Sequence, residues 1–230
     1  MKKTAKKIIQ DALDKHQKAL SEYESKKLLA CYGIPITAEI LVTTAGQARK
    51  AAQTIGFPLA MKACSAQLLH KTESGAVALG ITNPSDVQKT FEKLMAIEPA
   101  PDGILVQAMV SGKRELVAGS SRDPQFGPCI MLGIGGIFAE VMEDAAFRAI
   151  PFDRIEALDM TAELRSAKLL GAFRGEPPVD LENLADILLA TGEIAKTHPA
   201  VAEIDINPLI VGPDGKCVAA DGLVVLDVKD

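Results

Sequence analysis

Apolar and polar positions repeat along this chain with two periods, and the switches between the periods mark its elements. Residues 2–19 carry Ile8, Ile9, Ala12 and Leu13 at helical spacing with lysines elsewhere, which predicts a short amphipathic helix serving as a docking appendage. Ser21 and Glu24 make an S-x-x-E capping box, so a second helix starts there, carries Leu28 and Leu29, and stops at Gly33 ahead of Pro35. Residues 37–42 read as a strand. Thr44 with Gln47 repeats the capping box, and Gly56 ends the helix it starts. Strands are expected over 59–63, 77–81 and 104–110, with Asn83-Pro84 opening a helix to about Met95. Beyond Gly112 the apolar runs shorten to 115–120, 129–133, 139–142 and 147–150, set apart by turn signals such as Asp123-Pro124. That spacing predicts an antiparallel sheet. Helices over 153–170 and 180–197 follow, then two strands around Gly212-Pro213-Asp214-Gly215. The mixture is α+β, a mixed α/β chain. Its expected divisions are an N-terminal helical appendage over 1–20, a first lobe over 21–109 and a second over 110–230.

Composition narrows the class. Apolar residues are 48% of the 230, ample for a core, and the net charge of −5 argues against a nucleic-acid footprint. No apolar run approaches the ~18 residues of a membrane span. The N-terminus MKKTAKKIIQDALDKHQ is basic but has no apolar segment of a signal peptide. Cys31, Cys64, Cys129 and Cys217 are scattered without CxxC spacing, which suits a reducing, cytoplasmic compartment rather than a disulfide framework. No nucleic acid or membrane is expected as a partner.

The most informative stretch is PLAMKACSAQLLHKTESGAVALG, residues 58–80. A lone lysine near a strand end, such as Lys62, most often reaches for water, and a loop histidine such as His70 is most often merely exposed. Together they are less ordinary. Eight residues of extended chain, at roughly 3.3 Å each, can carry an imidazole tens of ångströms. That reach suits a mobile carrier better than a fixed acid or base.

A second patch is Glu203-Ile204-Asp205-Ile206-Asn207-Pro208. Residues two apart on a strand share a face, so Glu203, Asp205 and Asn207 point one way and the isoleucines the other. An amphipathic edge strand explains this much. Proline after Asn207 removes a ladder donor, however, and Asp221 stands on the otherwise nearly uncharged returning strand. One or two such oxygens plus phosphate is how magnesium is usually held. If Asp221 is to share a face with Asn207, the two must pair directly. That requires Gly212 opposite Lys216 and a three-residue loop with Gly215 left-handed. A two-residue loop would put them on opposite faces.

Weaker signals complete the inventory. Residues 105–110 with Lys113-Arg114-Glu115 are, from the residues alone, a strand, a turn and another strand. Gly133-Ile134-Gly135-Gly136, with Glu140, precedes no clear helix and reads as a β-turn. His16 and His198 read as structural or exposed. No Ser-His-Asp order or GxSxG supports nucleophilic hydrolysis.

Lys62 followed by Leu69-His70-Lys71-Thr72-Glu73-Ser74-Gly75-Ala76-Val77 resembles the ATP-grasp domain of NDP-forming acyl-CoA synthetases. The nearest type by length is the small beta subunit of ADP-forming acetate–CoA ligases, related to the beta subunit of succinyl-CoA synthetase. The resemblance runs from Leu20 onward. It implies an ATP-grasp fold, two lobes clasping a nucleotide, with ATP or ADP and Mg2+ as cofactors. It implies that His70 is phosphorylated and relays phosphoryl between a partner and ADP, and that Lys62 holds nucleotide phosphates. Met109 and Val110 would meet the adenine by their backbone, Gln107 would form its rim and Glu115 would meet the ribose. Asn207 and Asp221, then Asp205, would hold the metal. A glycine-rich segment such as 133–136 lines the reaction centre in that family. The implied activity interconverts acyl-CoA, ADP and phosphate with acid, CoA and ATP, with a separate CoA-binding alpha subunit as partner.

The chain departs from the family pattern at Ala76, where a second glycine is common, and at Glu73, where aspartate is common. Gly222-Leu223 stands where alanine and arginine are usual in that family, and the resemblance then implies no arginine contact to phosphate at Leu223. Two rival readings remain: a stand-alone ATP-dependent carboxylate ligase working through an acyl phosphate, in which His70 is dispensable, and a nucleotide-binding regulatory module without turnover.

Overall fold

A computed structural model describes residues 1–66, 75–136, 144–173 and 175–228. The elements run α1 (Lys2–Leu13), α2 (Glu22–Cys31), β1 (Glu39–Val42), α3 (Ala45–Ile55), β2 (Leu59–Cys64), β3 (Val77–Ile81), α4 (Pro84–Met95) and β4 (Gly103–Ala108). Then come β5 (Glu115–Asp123), β6 (Gly127–Ile134), β7 (Ala145–Ala149), α5 (Arg154–Glu163), α6 (Leu181–Thr197), β8 (Val201–Val211), β9 (Cys217–Ala219) and β10 (Leu223–Leu226). The chain divides into two compact units. Residues 21–23 and 37–109 form the smaller, and residues 1–20, 24–36 and 110–230 the larger.

In the smaller unit an antiparallel sheet runs in the order β1-β4-β2-β3. Its helices start where side chains replace missing backbone acceptors: Thr44 accepts from the amide of Gln47, and Asn83 from that of Asp86, with Pro84 in the first turn. Gln47 Oε1 closes its capping box one residue early, accepting from the Thr43 amide at 2.9 Å. All six residues of β2 are buried, which makes Lys62 conspicuous among them.

The larger unit is a sheet in the order β10-β8-β5-β6-β7, with β9 also paired to β8. α6 lays Leu184, Ile187, Leu188 and Ile194 into its core. Residues 1–20, expected as an appendage, are packed into this unit: Ala5, Ile9 and Ala12 of α1 are core residues. The helix itself ends at Leu13, ahead of a turn in which His16 has φ 54°.

One expected element is broken. The helix over 153–170 stops at Glu163, and Leu164 is extended at φ −61°, ψ 132°. Buried Asp144 causes the break. Its carboxylate accepts from the amides of Arg165 and Ser166, both at 2.8 Å, and from the Ser166 hydroxyl. Those amides are thereby withdrawn from the helix ladder, and only a 3₁₀ turn, Ala167–Leu170, follows. The strand expected over 139–142 lies outside the described residues.

Burial works against the Asp144 charge, yet the bonds from Ser166 and Arg165 prevail and hold the carboxyl below its ordinary value. A depressed carboxyl gives stability above its unfolded pKa and loses it as pH falls through the folded one. Asp144→Asn should therefore cost about 1–3 kcal/mol at pH 7. The gap from wild type, read by urea denaturation, should narrow below about pH 4.

Candidate functional site

The C-terminal hairpin carries the first part of the site. Gly212 donates to the carbonyl of Lys216 at 2.8 Å, and Gly215 sits at φ 81°, so the loop is the three-residue one. β9 pairs Leu209 with Ala219, and β10 pairs Asp205 with Leu223. Both registers share one offset, and the Ala220 amide reaches the Pro208 carbonyl at 3.0 Å between them. Asn207 therefore stands directly opposite Asp221.

The burial pattern adds a feature that simple alternation does not predict. Ile204 and Ile206 are buried, then Leu209 and Val211, so β8 changes faces across Asn207-Pro208. The cause is a bulge against β5, where Leu116 pairs with Leu209 but Ala118 with Ile206. The facing strand changes in step: Cys217 and Ala219 are buried, then Val224 and Leu226. Both strands kink where Asn207 and Asp221 oppose each other.

The donor chemistry there fits a hard divalent cation. Burial first, and then the like charges of Glu203 and Asp221, push Asp205 up to about 6. Across the ladder Asp205 faces Leu223, the position where arginine is usual in the resembled family. Among the described residues no three His, Cys, Asp or Glu side chains converge into a metal cluster. Asp205, Glu203 and Asp221 thus do not form a three-group cage. The donor set is an amide and a carboxylate, which suits Mg2+ completing its shell from water and phosphate.

In the smaller unit the ammonium of Lys62 meets Glu22 Oε1 at 2.7 Å, with side chains 7% and 0% exposed. Gln107 is also buried, and Met109 follows the end of β4, its amide on the Pro58 carbonyl. In the larger unit Val110 is half-buried, and Glu115 opens β5 beside a cavity of about 340 Å³. Leu116, Ile134, Leu170 and Phe173 supply its apolar wall, and Lys113 and Glu176 are polar members. Arg114 holds the far wall by donating to the carbonyls of Leu169 and Gly171 at 3.0 Å and to that of Pro177. The glycine at 135 has a steric reason, and the one at 136 a left-handed backbone at φ 78°. The Gly135 amide donates to the Glu115 carbonyl at 2.7 Å, and a Cβ there would meet Glu115 backbone at 3.1 Å. His70, Glu73 and Glu140 lie outside the described residues.

A family model described as the ATP-grasp domain matches residues 11–226. The chain is 38% identical, across 100% of its length and 98% of the relative's, to the beta subunit of ADP-forming acetate–CoA ligase II from Pyrococcus furiosus. The chain belongs to the ATP-grasp beta subunits of ADP-forming acyl-CoA ligases. It is also 35% identical to the ADP-forming 4-hydroxybutyrate–CoA ligase of Nitrosopumilus maritimus, covering 99% of this chain and 33% of that one. Acetyl-coenzyme A synthetase 1 of Ca. Korarchaeum cryptofilum, solved with coenzyme A and Ca-AMPCP, superposes with TM-score 0.91 at 34% identity, covering 97% of this chain and 100% of that one. The same synthetase has been solved with Mg-AMPPCP and its phosphohistidine segment pointing towards the nucleotide site (TM-score 0.85).

For an ATP-grasp beta subunit, α2 is the element that sequence reasoning undervalued. Its capping box drew attention to Ser21 and Glu24, whereas the buried face carries Glu22, Ser25 and Lys26. Ser25 Oγ accepts from the Val224 amide at 3.1 Å, and the fully buried Lys26 donates to the Ala220 carbonyl at 3.2 Å. These bonds hold the strand on either side of Asp221. The available signal was polar residues at i, i+3 and i+4 beside Leu28 and Leu29. His198 is structural as expected: its Nε2 lies 2.8 Å from the Tyr32 hydroxyl.

A carboxyl raised above its unfolded value gives stability below that value and loses it as pH rises through the folded one. Without divalent cations, the wild type should lose about 1–2 kcal/mol relative to Asp205→Asn between pH 4 and pH 7. Denaturation curves at half-unit steps read this directly. Parallel curves for the two proteins would contradict it.

Proposed function

We infer that this chain is the nucleotide-binding beta subunit of an ADP-forming acyl-CoA synthetase, interconverting acyl-CoA, ADP and phosphate with acid, CoA and ATP. The observation that carries this reading is identity along the whole chain with the Pyrococcus beta subunit. The partner is a CoA-binding alpha subunit. In support, the end-to-end relative is itself a subunit, and the chain spans a third of the Nitrosopumilus ligase. A cytoplasmic setting is supported by four cysteines that form no disulfide and, among the described residues, by no helix long and apolar enough to cross a membrane.

His70 is the carrier in this reading. Imidazole is a competent nucleophile near pH 7 because its ordinary pKa is about 6.5. One ring nitrogen bonds the phosphoryl phosphorus in a partner active site as that phosphorus's bond to its donor there breaks. At the nucleotide that N–P bond breaks as a β-phosphate oxygen of ADP bonds the phosphorus, leaving neutral imidazole and ATP. Lys62 neutralises phosphate charge. The backbone at Met109 and Val110 receives the adenine beside Gln107, and Glu115 receives the ribose. Asn207 and Asp221, and next Asp205, would hold Mg2+, which would supply charge neutralisation on the phosphates. The protein's contribution to the chemistry is mostly positioning.

Asparagine at position 70 keeps a similar size but has no phosphorylatable nitrogen. His70→Asn should bind nucleotide within about twofold of wild type (~0.4 kcal/mol). With labelled ATP it should carry no acid-labile, base-stable phosphate. ATP synthesis with the alpha subunit present should vanish. Retention of more than a few per cent of it would favour the stand-alone ligase, in which this histidine is dispensable.

A further inference from the structure

We propose that Glu22 is a positioning residue for Lys62, holding its ammonium charged and aimed for nucleotide phosphate. The proposal rests on Lys62 being a phosphate ligand, as read above.

Lys62 lies on β2. Every residue of that strand is buried, and Lys62 pairs with Leu105 on one side and Val77 on the other. An ammonium removed from water among apolar neighbours sheds its proton or swings out to solvent, because desolvation disfavours the charged form. A neutral amine gives phosphate no charge, and a side chain swung outward has no fixed direction. Glu22 prevents both outcomes. Its carboxylate has no exposed surface and lies 2.7 Å from Lys62 Nζ, a charge-assisted contact at its strongest range.

The sequence brings this carboxylate from far away. Glu22 is the first residue of α2, separated from Lys62 by 40 positions, so the pair is no accident of local spacing. A glutamate in a first turn has an ordinary use, in which it answers the helix dipole from a solvated position. Complete burial against a lysine is a different use and a costly one, because two desolvated charges rarely gain over an apolar pair of equal volume. A stability role alone would be served as well by leucine and methionine. What the ion pair adds is a cation kept in place. An ammonium carries three N–H bonds and can hold carboxylate and phosphate together, so phosphate can arrive without displacing Glu22.

The test measures affinity of the full-length chain for Mg-ADP and for adenosine, using wild type, Glu22→Gln, Glu22→Asp and Lys62→Met, each checked for a wild-type circular dichroism spectrum. The proposal expects Glu22→Gln to weaken Mg-ADP about tenfold while adenosine, which has no phosphate, changes less than twofold. Glu22→Asp, with the charge kept but withdrawn by one methylene, should fall between. If Glu22→Gln does not fold, the aspartate variant decides by the same comparison. Equal losses for Mg-ADP and adenosine would show a general structural role and overturn the proposal. Loss in Lys62→Met with none in either Glu22 variant would overturn it while leaving Lys62 a phosphate ligand. Unchanged Mg-ADP affinity in Lys62→Met would instead remove the reading of Lys62 itself, and the proposal with it.

Discussion

The rest of the larger unit's candidate site depends on a bulge of β8 against β5 that falls at Asn207-Pro208. A strand in mid-sheet cannot carry proline without a local departure from the ladder. β8 carries Pro208 where it is bulged against β5, and the facing strand is interrupted at the same level between β9 and β10. Two strands that change faces together leave Asn207 and Asp221 opposed at the kink. A regular ladder would have continued the alternation of Ile204 and Ile206 and buried Pro208 and Ile210 in turn. The kink is held from outside by α2, through Ser25 to Val224 and Lys26 to Ala220.

The second constraint is charge kept out of water. Glu22 and Lys62 are buried as a pair, Lys26 is buried on a carbonyl, and Asp205 is half-buried beside like charges. Each costs more than an apolar residue of the same volume would. The helices and sheets around them need none of these charges to form. The contrast with Asp144 is instructive. That carboxylate is also buried, but bonds from Arg165 and Ser166 satisfy it and it terminates a helix. Its charge has a structural use, and its pKa moves the opposite way from that of Asp205.

Much of the fold was legible because local signals act locally. Asn83-Pro84, Thr44 and Gly56 each fix a helix end through their own side chain or φ, without help from distant residues. The hairpin register was legible only as a condition: the sequence left two- and three-residue loops open, and the structure has the three-residue one. What the sequence hid was long-range. Asp144 breaks a helix some 20 residues onward, and nothing in the periodicity of 153–170 announces it. Glu22 resembles any first-turn glutamate until β2 is folded against it. The bulge at Asn207-Pro208 was half visible: proline signalled a lost donor, but the matching change of face on the facing strand is a property of the pair. The resemblance to ATP-grasp beta subunits supplied roles for Lys62, Glu115, Asn207 and Asp221 that spacing alone could not.

The kink at Asn207 and Asp221 would be the seat for the metal of a bound nucleotide. A crystal structure of the full chain with Mg-ADP tests it most directly. The account predicts Mg2+ at roughly 2.0–2.1 Å from Asn207 Oδ1 and from an Asp221 carboxylate oxygen, with phosphate and water completing an octahedron. Magnesium bound to the nucleotide but touching neither residue would contradict it.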